Sequence, residues 1–162
     1  ASHVAGRGAR LIVDTSGPAL QDLVRVPREA IFLLRMNGAE AEELAGHPLP
    51  ERADSAAFAR SLVDRGVARN VVVARGGDGS VLATETGAWH GMGVKVPVIS
   101  KVGAGDSFVG AFTLWLARGE PPQEALRAGV AAASAAVTSE GTRLCDPVLT
   151  AELLPKCTVT AI

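Results

Sequence analysis

The chain has 162 residues, 48% of them hydrophobic, with 16 Lys and Arg against 17 Asp and Glu and a formal net charge of −1. That length carries a domain with a proper core, and that hydrophobicity excludes a disordered chain. No basic block stands out, so nucleic acid is not an expected partner.

Arg10–Asp14, an apolar run closed by an acid, reads as a buried strand. Thr15-Ser16-Gly17-Pro18 is a turn, with Ser16 or Gly17 capping a helix through about Val24. Ile31–Leu34 reads as a second buried strand, and Asn37 opens a short helix with Glu40 three residues on. After a break at Gly46–Pro50, Asp54–Arg65 has amphipathic helical spacing. Asn70–Ala74 reads as a third buried strand, and Gly76-Gly77-Asp78-Gly79 as a hairpin turn into Ser80–Ala83. Short strands are expected at Ala88–His90 and Val94–Val96. Helices follow over about Asp106–Ala117 and Gln123–Ser139, a last helix begins near Pro147, and Thr158–Thr160 reads as a terminal strand. Strands separated by helices argue for an α/β protein with a mostly parallel sheet.

The two cysteines, Cys145 and Cys157, read as free thiols of a reducing compartment, and no His/Cys cluster has zinc spacing. Ala1–Gly6 has neither a charged nor an apolar leader region. The most apolar helical run, around Val130 to Val137, is interrupted by Ser134 and too short to span a bilayer. The expectation is a cytoplasmic protein without a membrane partner. His3, His47 and His90 are isolated and read as surface or packing residues.

The most informative stretch is Gly103-Ala104-Gly105-Asp106-Ser107-Phe108. Its glycines let backbone N–H groups come close to a ligand, and a helix starting there aims unpaired donors and its positive dipole end at one point. That is an anion site, most often for phosphate. Asp106 is placed to take a proton from a hydroxyl beside that anion, and anion hole plus base is the minimum kit for moving a phosphoryl group onto an alcohol. A plain turn opening a helix is the alternative. A dinucleotide-binding turn is a weaker one, because Phe108 stands where its third glycine would be.

Asn37 and Glu40, one helical turn apart, face the same way. Such a pair suits water held on a magnesium ion, and it also suits a simple helix cap.

Gly103–Asp106 resembles the GAGD signature of the pfkB, or ribokinase-like, carbohydrate kinases. The resemblance implies that Asp106 is the catalytic base and that the backbone of Gly103, Ala104 and Gly105 stabilises the transferring phosphoryl group. Arg35-Met36-Asn37-Gly38-Ala39-Glu40 is similar to the family's K-P-N-x-x-E motif, with Arg35 for Lys and Met36 for Pro. It implies Arg35, Asn37 and Glu40 at Mg–ATP, with magnesium held through water. Ala74–Gly79 is similar to the T/S-L-G-x-x-G nucleotide loop: Gly76 and Gly79 match, while Ala74 stands where the family has a hydroxyl. Asp14–Leu20 resembles the family's D-x-S-G-x-A-L, with no role assigned to Asp14.

Ser100-Lys101-Val102 and Gly129–Cys145, with its Gly-Thr-Arg-Leu-Cys string, look like the C-terminal end of pfkB-type 6-phosphofructokinases. This likeness implies potassium near Ser100, Val102, Ala136, Ser139, Gly141 and Arg143, and places Ser134 near the nucleotide. Small residues at Gly129–Ala136 also read as close packing of two helices.

From Arg10 onward the resemblance covers nearly the whole chain. It implies a ribokinase-like α/β fold, a mostly parallel central sheet flanked by helices. Only the C-terminal half is expected, with the lid and sugar-binding half absent. Residues 1–162 are then a single partial domain whose exposed sheet edge favours pairing with another chain. The implied activity is ATP-dependent phosphoryl transfer to a sugar phosphate, fructose 6-phosphate first. Other family specificities (1-phosphofructokinase, tagatose-6-phosphate kinase, ribokinase, fructokinase) and a non-catalytic nucleotide-binding fragment are the alternatives. ATP, Mg2+ and K+ are the implied cofactors, a homodimer is expected of the full-length protein, and weak or no activity of the isolated piece.

Overall fold

The computed structural model describes residues 9–25 and 31–162, so the expectation for His3 lies outside the described residues. In chain order the elements are β1 (Leu11–Asp14), α1 (Gly17–Arg25), β2 (Ile31–Asn37), α2 (Gly38–Ala45), α3 (Arg52–Asp64), β3 (Asn70–Ala74), β4 (Ser80–Thr84), β5 (Gly87–Met92), α4 (Ala104–Ala117), α5 (Pro122–Ala136), α6 (Pro147–Leu153) and β6 (Thr158–Ala161). The strands form one six-stranded sheet in the order β1-β2-β3-β4-β5-β6.

The sheet is mixed. β1, β2 and β3 pair in parallel, whereas β3 and β4 pair antiparallel. A parallel strand needs a crossover, and α1, α2 and α3 supply it between β1, β2 and β3. The tight turn at Gly76–Gly79 leaves no room for one, so β4 must return beside β3.

Two compact units are distinguished: residues up to His90 together with Ala161 and Ile162, and residues Gly91–Thr160. In the first, Val71, Val72 and Val73 are all fully buried, as a strand covered on both faces requires. Its core joins Leu34 and Met36 of β2, Val71 and Val73 of β3, and Ala59 and Leu62 of α3. In the second, Phe108, Phe112 and Leu116 give α4 one buried stripe. The Phe108 and Phe112 rings lie 5.7 Å apart in a stacked pair. A Cβ added at Gly129 of α5 would lie 2.7 Å from the Phe108 ring, so glycine there is what lets the two helices approach. The small residues of this helix do serve close packing.

Several boundaries differ from the sequence expectations. β1 is half-buried with an exposed end, because it is the edge strand. Residues 94–96 form no strand. Just before them Gly93 is pressed against α5, where an added Cβ would sit 2.3 Å from Ser134 Oγ, and Pro97 follows without an N–H. α5 stops at Ala136 rather than near Ser139. Thr138 and Ser139 donate their N–H groups back to Ala135 and Ala136, and the Val137 carbonyl accepts from Ile99 and Ser100. α3 begins at Arg52, two residues before the expected Asp54, because the Asp54 carboxylate accepts the Glu51 N–H at 2.9 Å. Among the described residues, no helix is long and apolar enough to cross a membrane.

Both cysteines are free; Cys157 is buried and Cys145 half-buried. Burial pushes the Cys157 thiol above its ordinary range, against a weaker opposing bond from the Val94 backbone. A thiol reagent is therefore expected to label Cys145 in the folded protein and Cys157 only on unfolding, read by mass spectrometry against denaturant. Gly129→Val is expected to lower stability by about 1–3 kcal/mol through overpacking against Phe108, measured by urea unfolding. Unchanged stability would show that α4 and α5 can separate freely.

Candidate active site

The carboxyl ends of the parallel strands carry the motif residues of the first unit. In β1–β2 pairing Asp14 lies opposite Arg35, and in β2–β3 pairing Asn37 lies opposite Ala74. Arg35 Nη1 donates to Asp14 Oδ2 at 3.2 Å, which gives Asp14 the partner that sequence left unassigned. Arg35 Nε is buried without a hydrogen-bond partner among the described residues.

Asn37 and Glu40 form a reciprocal cap at the start of α2. Asn37 Oδ1 accepts the Glu40 N–H at 3.0 Å and Glu40 Oε2 accepts the Asn37 N–H at 2.7 Å. The cap holds both side chains in one orientation and leaves Glu40 Oε1 outside it. Direct ligation of a divalent cation by the pair does not suit this geometry; holding an ion's hydration water through that remaining oxygen does. Among the described residues, no group of three or more His, Cys, Asp and Glu side chains could hold a metal ion.

Between β3 and β4, Gly76–Asp78 makes one turn of 3-10 helix, with Gly76 at φ +61° and Gly79 at φ +78°. Side chains rarely adopt such values, so glycine is required at both ends of the turn. Gly79 donates its N–H to the Gly76 carbonyl at 3.2 Å and Arg75 donates to the Gly79 carbonyl at 2.8 Å. The turn's one side chain, Asp78, is held by Arg52 Nε at 3.1 Å and Arg75 Nε at 3.0 Å. Arg75 in turn donates to the carbonyls of Leu49, Pro50 and Glu51 and to Ser55 Oγ. His90, 3% exposed, lies with Nε2 2.6 Å from the Asp78 carbonyl; a carbonyl only accepts, so that nitrogen carries the proton. His47 stays exposed, as expected. The Asp78 cluster joins residues up to 26 positions apart and escaped the sequence reading, whose only signal was an acid inside a glycine turn.

In the second unit, the expected helix start is in place. Gly103, at φ +82°, is the N-cap of α4 and offers no side-chain cap, so Ala104, Gly105 and Asp106 form the first turn. The first intrahelical bond runs from Ser107 N–H to the Gly103 carbonyl at 2.9 Å, and Ala104 N–H makes only a long contact to the Lys101 carbonyl at 3.4 Å. The N–H groups of Gly105 and Asp106 have no acceptor among the described residues. The Asp106 side chain is exposed and likewise has no partner there.

Of the residues expected from sequence at potassium, Ser100, Val102 and Gly141 are joined by hydrogen bonds and the Arg143 carbonyl lies near Gly103, while Ala136 and Ser139 bond to each other. Ser100 Oγ donates to the Gly141 carbonyl at 3.1 Å and accepts the Val102 N–H at 3.2 Å. A Cβ at Gly103 would lie 3.4 Å from the Arg143 carbonyl and 3.9 Å from that of Thr142. These are neutral oxygens, a donor set that suits a weakly hydrated monovalent cation. The Ala136 carbonyl accepts the Ser139 N–H at 3.0 Å. Ser134 is buried, and its hydroxyl donates to the Val130 carbonyl at 2.9 Å.

A mixed six-stranded sheet flanked by helices is an α/β fold of the ribokinase-like kind. Residues 2–149 match the family model described as pfkB family carbohydrate kinase, and the chain belongs to that family. It is 37% identical over 136 residues to the ATP-dependent 6-phosphofructokinase isozyme 2 of Mycobacterium tuberculosis, an alignment covering 84% of this chain and 39% of that protein. To the 1-phosphofructokinase of Bacillus subtilis it is 31% identical over 156 residues, covering 96% of this chain and 50% of the relative. The crystal structure of phosphofructokinase-2 from Escherichia coli in complex with potassium superposes with a TM-score of 0.88 at 36% identity, over 96% of this chain and 50% of that one. The chain thus spans about half the length of the relatives it matches.

The hydrogen bond from Arg52, helped by a weaker one from Arg75, holds the Asp78 carboxyl well below the usual carboxylate range, against an opposing effect of burial second in size only to the Arg52 bond. A carboxylate depressed in the folded state adds stability above its unfolded value of about 3.9, and that stability is lost as pH falls through the folded value. The melting-temperature gap between the wild type and Asp78→Asn is therefore expected to narrow as pH is lowered from about 6 to about 3. A gap independent of pH would mean that the pair contributes nothing through charge.

Proposed function

We propose that this chain supplies the ATP site, anion hole and catalytic base of a sugar-phosphate kinase, with fructose 6-phosphate as acceptor. The observation that carries this reading is the start of α4. There, two backbone N–H groups without acceptors among the described residues stand beside an exposed carboxylate that has no partner among them either. In this reading the N–H groups of Ala104, Gly105 and Asp106 receive the γ-phosphate as charge builds on it. Asp106 takes the proton of the acceptor hydroxyl and leaves its oxygen free to attack the phosphorus in line with the departing ADP. Gly103 supports the arrangement by turning the chain without a Cβ. Residues 1–162 then act as one partial domain.

Around the nucleotide, the Gly76–Gly79 turn offers backbone to ATP, and Arg35, Asn37 and Glu40 face its magnesium through water. When bound, magnesium neutralises phosphate charge. Ser100, Val102, Ala136, Ser139, Gly141 and Arg143 are the proposed potassium neighbours, and such an ion would strengthen the positive field beside the anion hole. Ser134 is the proposed residue near the nucleotide, with its hydroxyl donating to the Val130 carbonyl within α5. The complete protein is proposed to be a cytoplasmic homodimer.

Likeness to 6-phosphofructokinases supports fructose 6-phosphate, while likeness to a 1-phosphofructokinase supports fructose 1-phosphate as the second acceptor. A substrate panel in a coupled assay, on a polypeptide joining this chain to a family N-terminal half, separates the two. In that protein Asp106→Asn is expected to lower kcat roughly a thousandfold while MgATP affinity stays within about twofold. Retained turnover would remove Asp106 from the base role, and ATP binding without any turnover by the wild type would select the non-catalytic reading.

A further inference from the structure

Three of the four residues at Gly76–Gly79 are glycine. Glycine loses more freedom on ordering than any other residue, so a bare turn of this composition presents no fixed surface to a ligand. Here the turn is fastened through its one side-chain-bearing residue. The Asp78 carboxylate takes bonds from Arg52, in the first turn of α3, and from Arg75, at the end of β3. The Asp78 carbonyl takes one from His90 on β5. Two tethers come from other elements, α3 and β5; the third comes from Arg75, which opens the turn and is itself anchored to three carbonyls and a hydroxyl around the start of α3. On the other side the turn is bare: Cβ atoms added at Gly76 or Gly77 would meet nothing within 4 Å.

We propose that Asp78 is a positioning residue for nucleotide, whose tethers to Arg52, Arg75 and His90 hold the Gly76–Gly79 backbone in its receptive shape before ATP arrives. This rests on the reading of the turn as a nucleotide loop and adds to it the residue that orders the loop. The tethers remove in advance an ordering cost that ATP would otherwise bear, so their loss is felt in affinity. It also accounts for how the loop functions with Ala74 in place of a hydroxyl: shape comes from charge-assisted bonds on its far side.

The test is MgATP titration calorimetry on the 162-residue chain, comparing wild type with Asp78→Asn, Arg52→Gln and the double variant. Each single substitution is expected to weaken MgATP binding roughly three- to fivefold, with the melting temperature lowered by no more than about 4 °C. The double variant is expected to bind no more weakly than the weaker single variant, because both remove the same tether. The Arg52 side chain is 46% exposed, so Arg52→Gln keeps the test decisive should Asp78→Asn fold poorly. Wild-type binding with both variants within twofold would overturn the positioning role and leave the nucleotide-loop reading standing. Losses that simply add in the double variant would also overturn it, as independent structural damage. A wild type that binds no MgATP would overturn the nucleotide-loop reading itself, and the positioning role with it.

Discussion

Parallel pairing of β1, β2 and β3 is the constraint on which the first unit depends. Buried backbone must be hydrogen-bonded, and valines covered on both faces leave β3 no partner except its neighbours in the sheet. Parallel strands end at the same edge, so every turn that follows them gathers there. Asp14, Arg35, Asn37 and Ala74 lie side by side at that edge because the register puts them there. A one-residue slip would point Leu34 and Met36 out of the core, so burial of those side chains also guards the register of the motif residues.

The helix starts differ in how their N–H groups are satisfied. α2 closes its own with the Asn37 and Glu40 side chains, α6 uses Asp146 to accept the Leu149 N–H at 2.8 Å, and at α3 Asp54 accepts the Glu51 N–H. α5 follows Pro121 without a side-chain cap and starts with Pro122, which has no N–H; α4 begins at a glycine and likewise uses no side chain. At α4 the Gly105 and Asp106 N–H groups have no acceptor among the described residues, which leaves them open to water or an anion. A single acid in the open first turn would be a poor companion for a resident anion. It is a good one for an anion that arrives with a hydroxyl to deprotonate. Donors left open beside that exposed acid, more than the glycine pattern itself, support the kinase reading.

Rigidity is supplied from outside the loops. The Gly76–Gly79 turn takes its order from Arg52 and His90 on other elements and from Arg75 just before it, which is anchored around the start of α3, and Gly103 packs against the carbonyls of Thr142 and Arg143. Close helix packing does similar work in the second unit, where Gly129 admits the Phe108 ring and so fixes α4, and with it the open first turn, against α5.

Much of this was legible in the residues themselves. The apolar runs at Ile31 and Asn70, the capping pair at Asn37 and Glu40, the glycine hairpin and the GAGD helix start are all set by neighbours within about one helical turn, where spacing and backbone freedom decide the outcome. Only the tertiary structure could decide the rest. The edge position of β1, the irregular path at 94–96 and the early end of α5 depend on what packs alongside them. The Arg35–Asp14 and Arg52–Asp78 pairs join residues 21 and 26 positions apart. A charge carries no mark of its partner in sequence; only the folded sheet and the helices on it bring the two within reach.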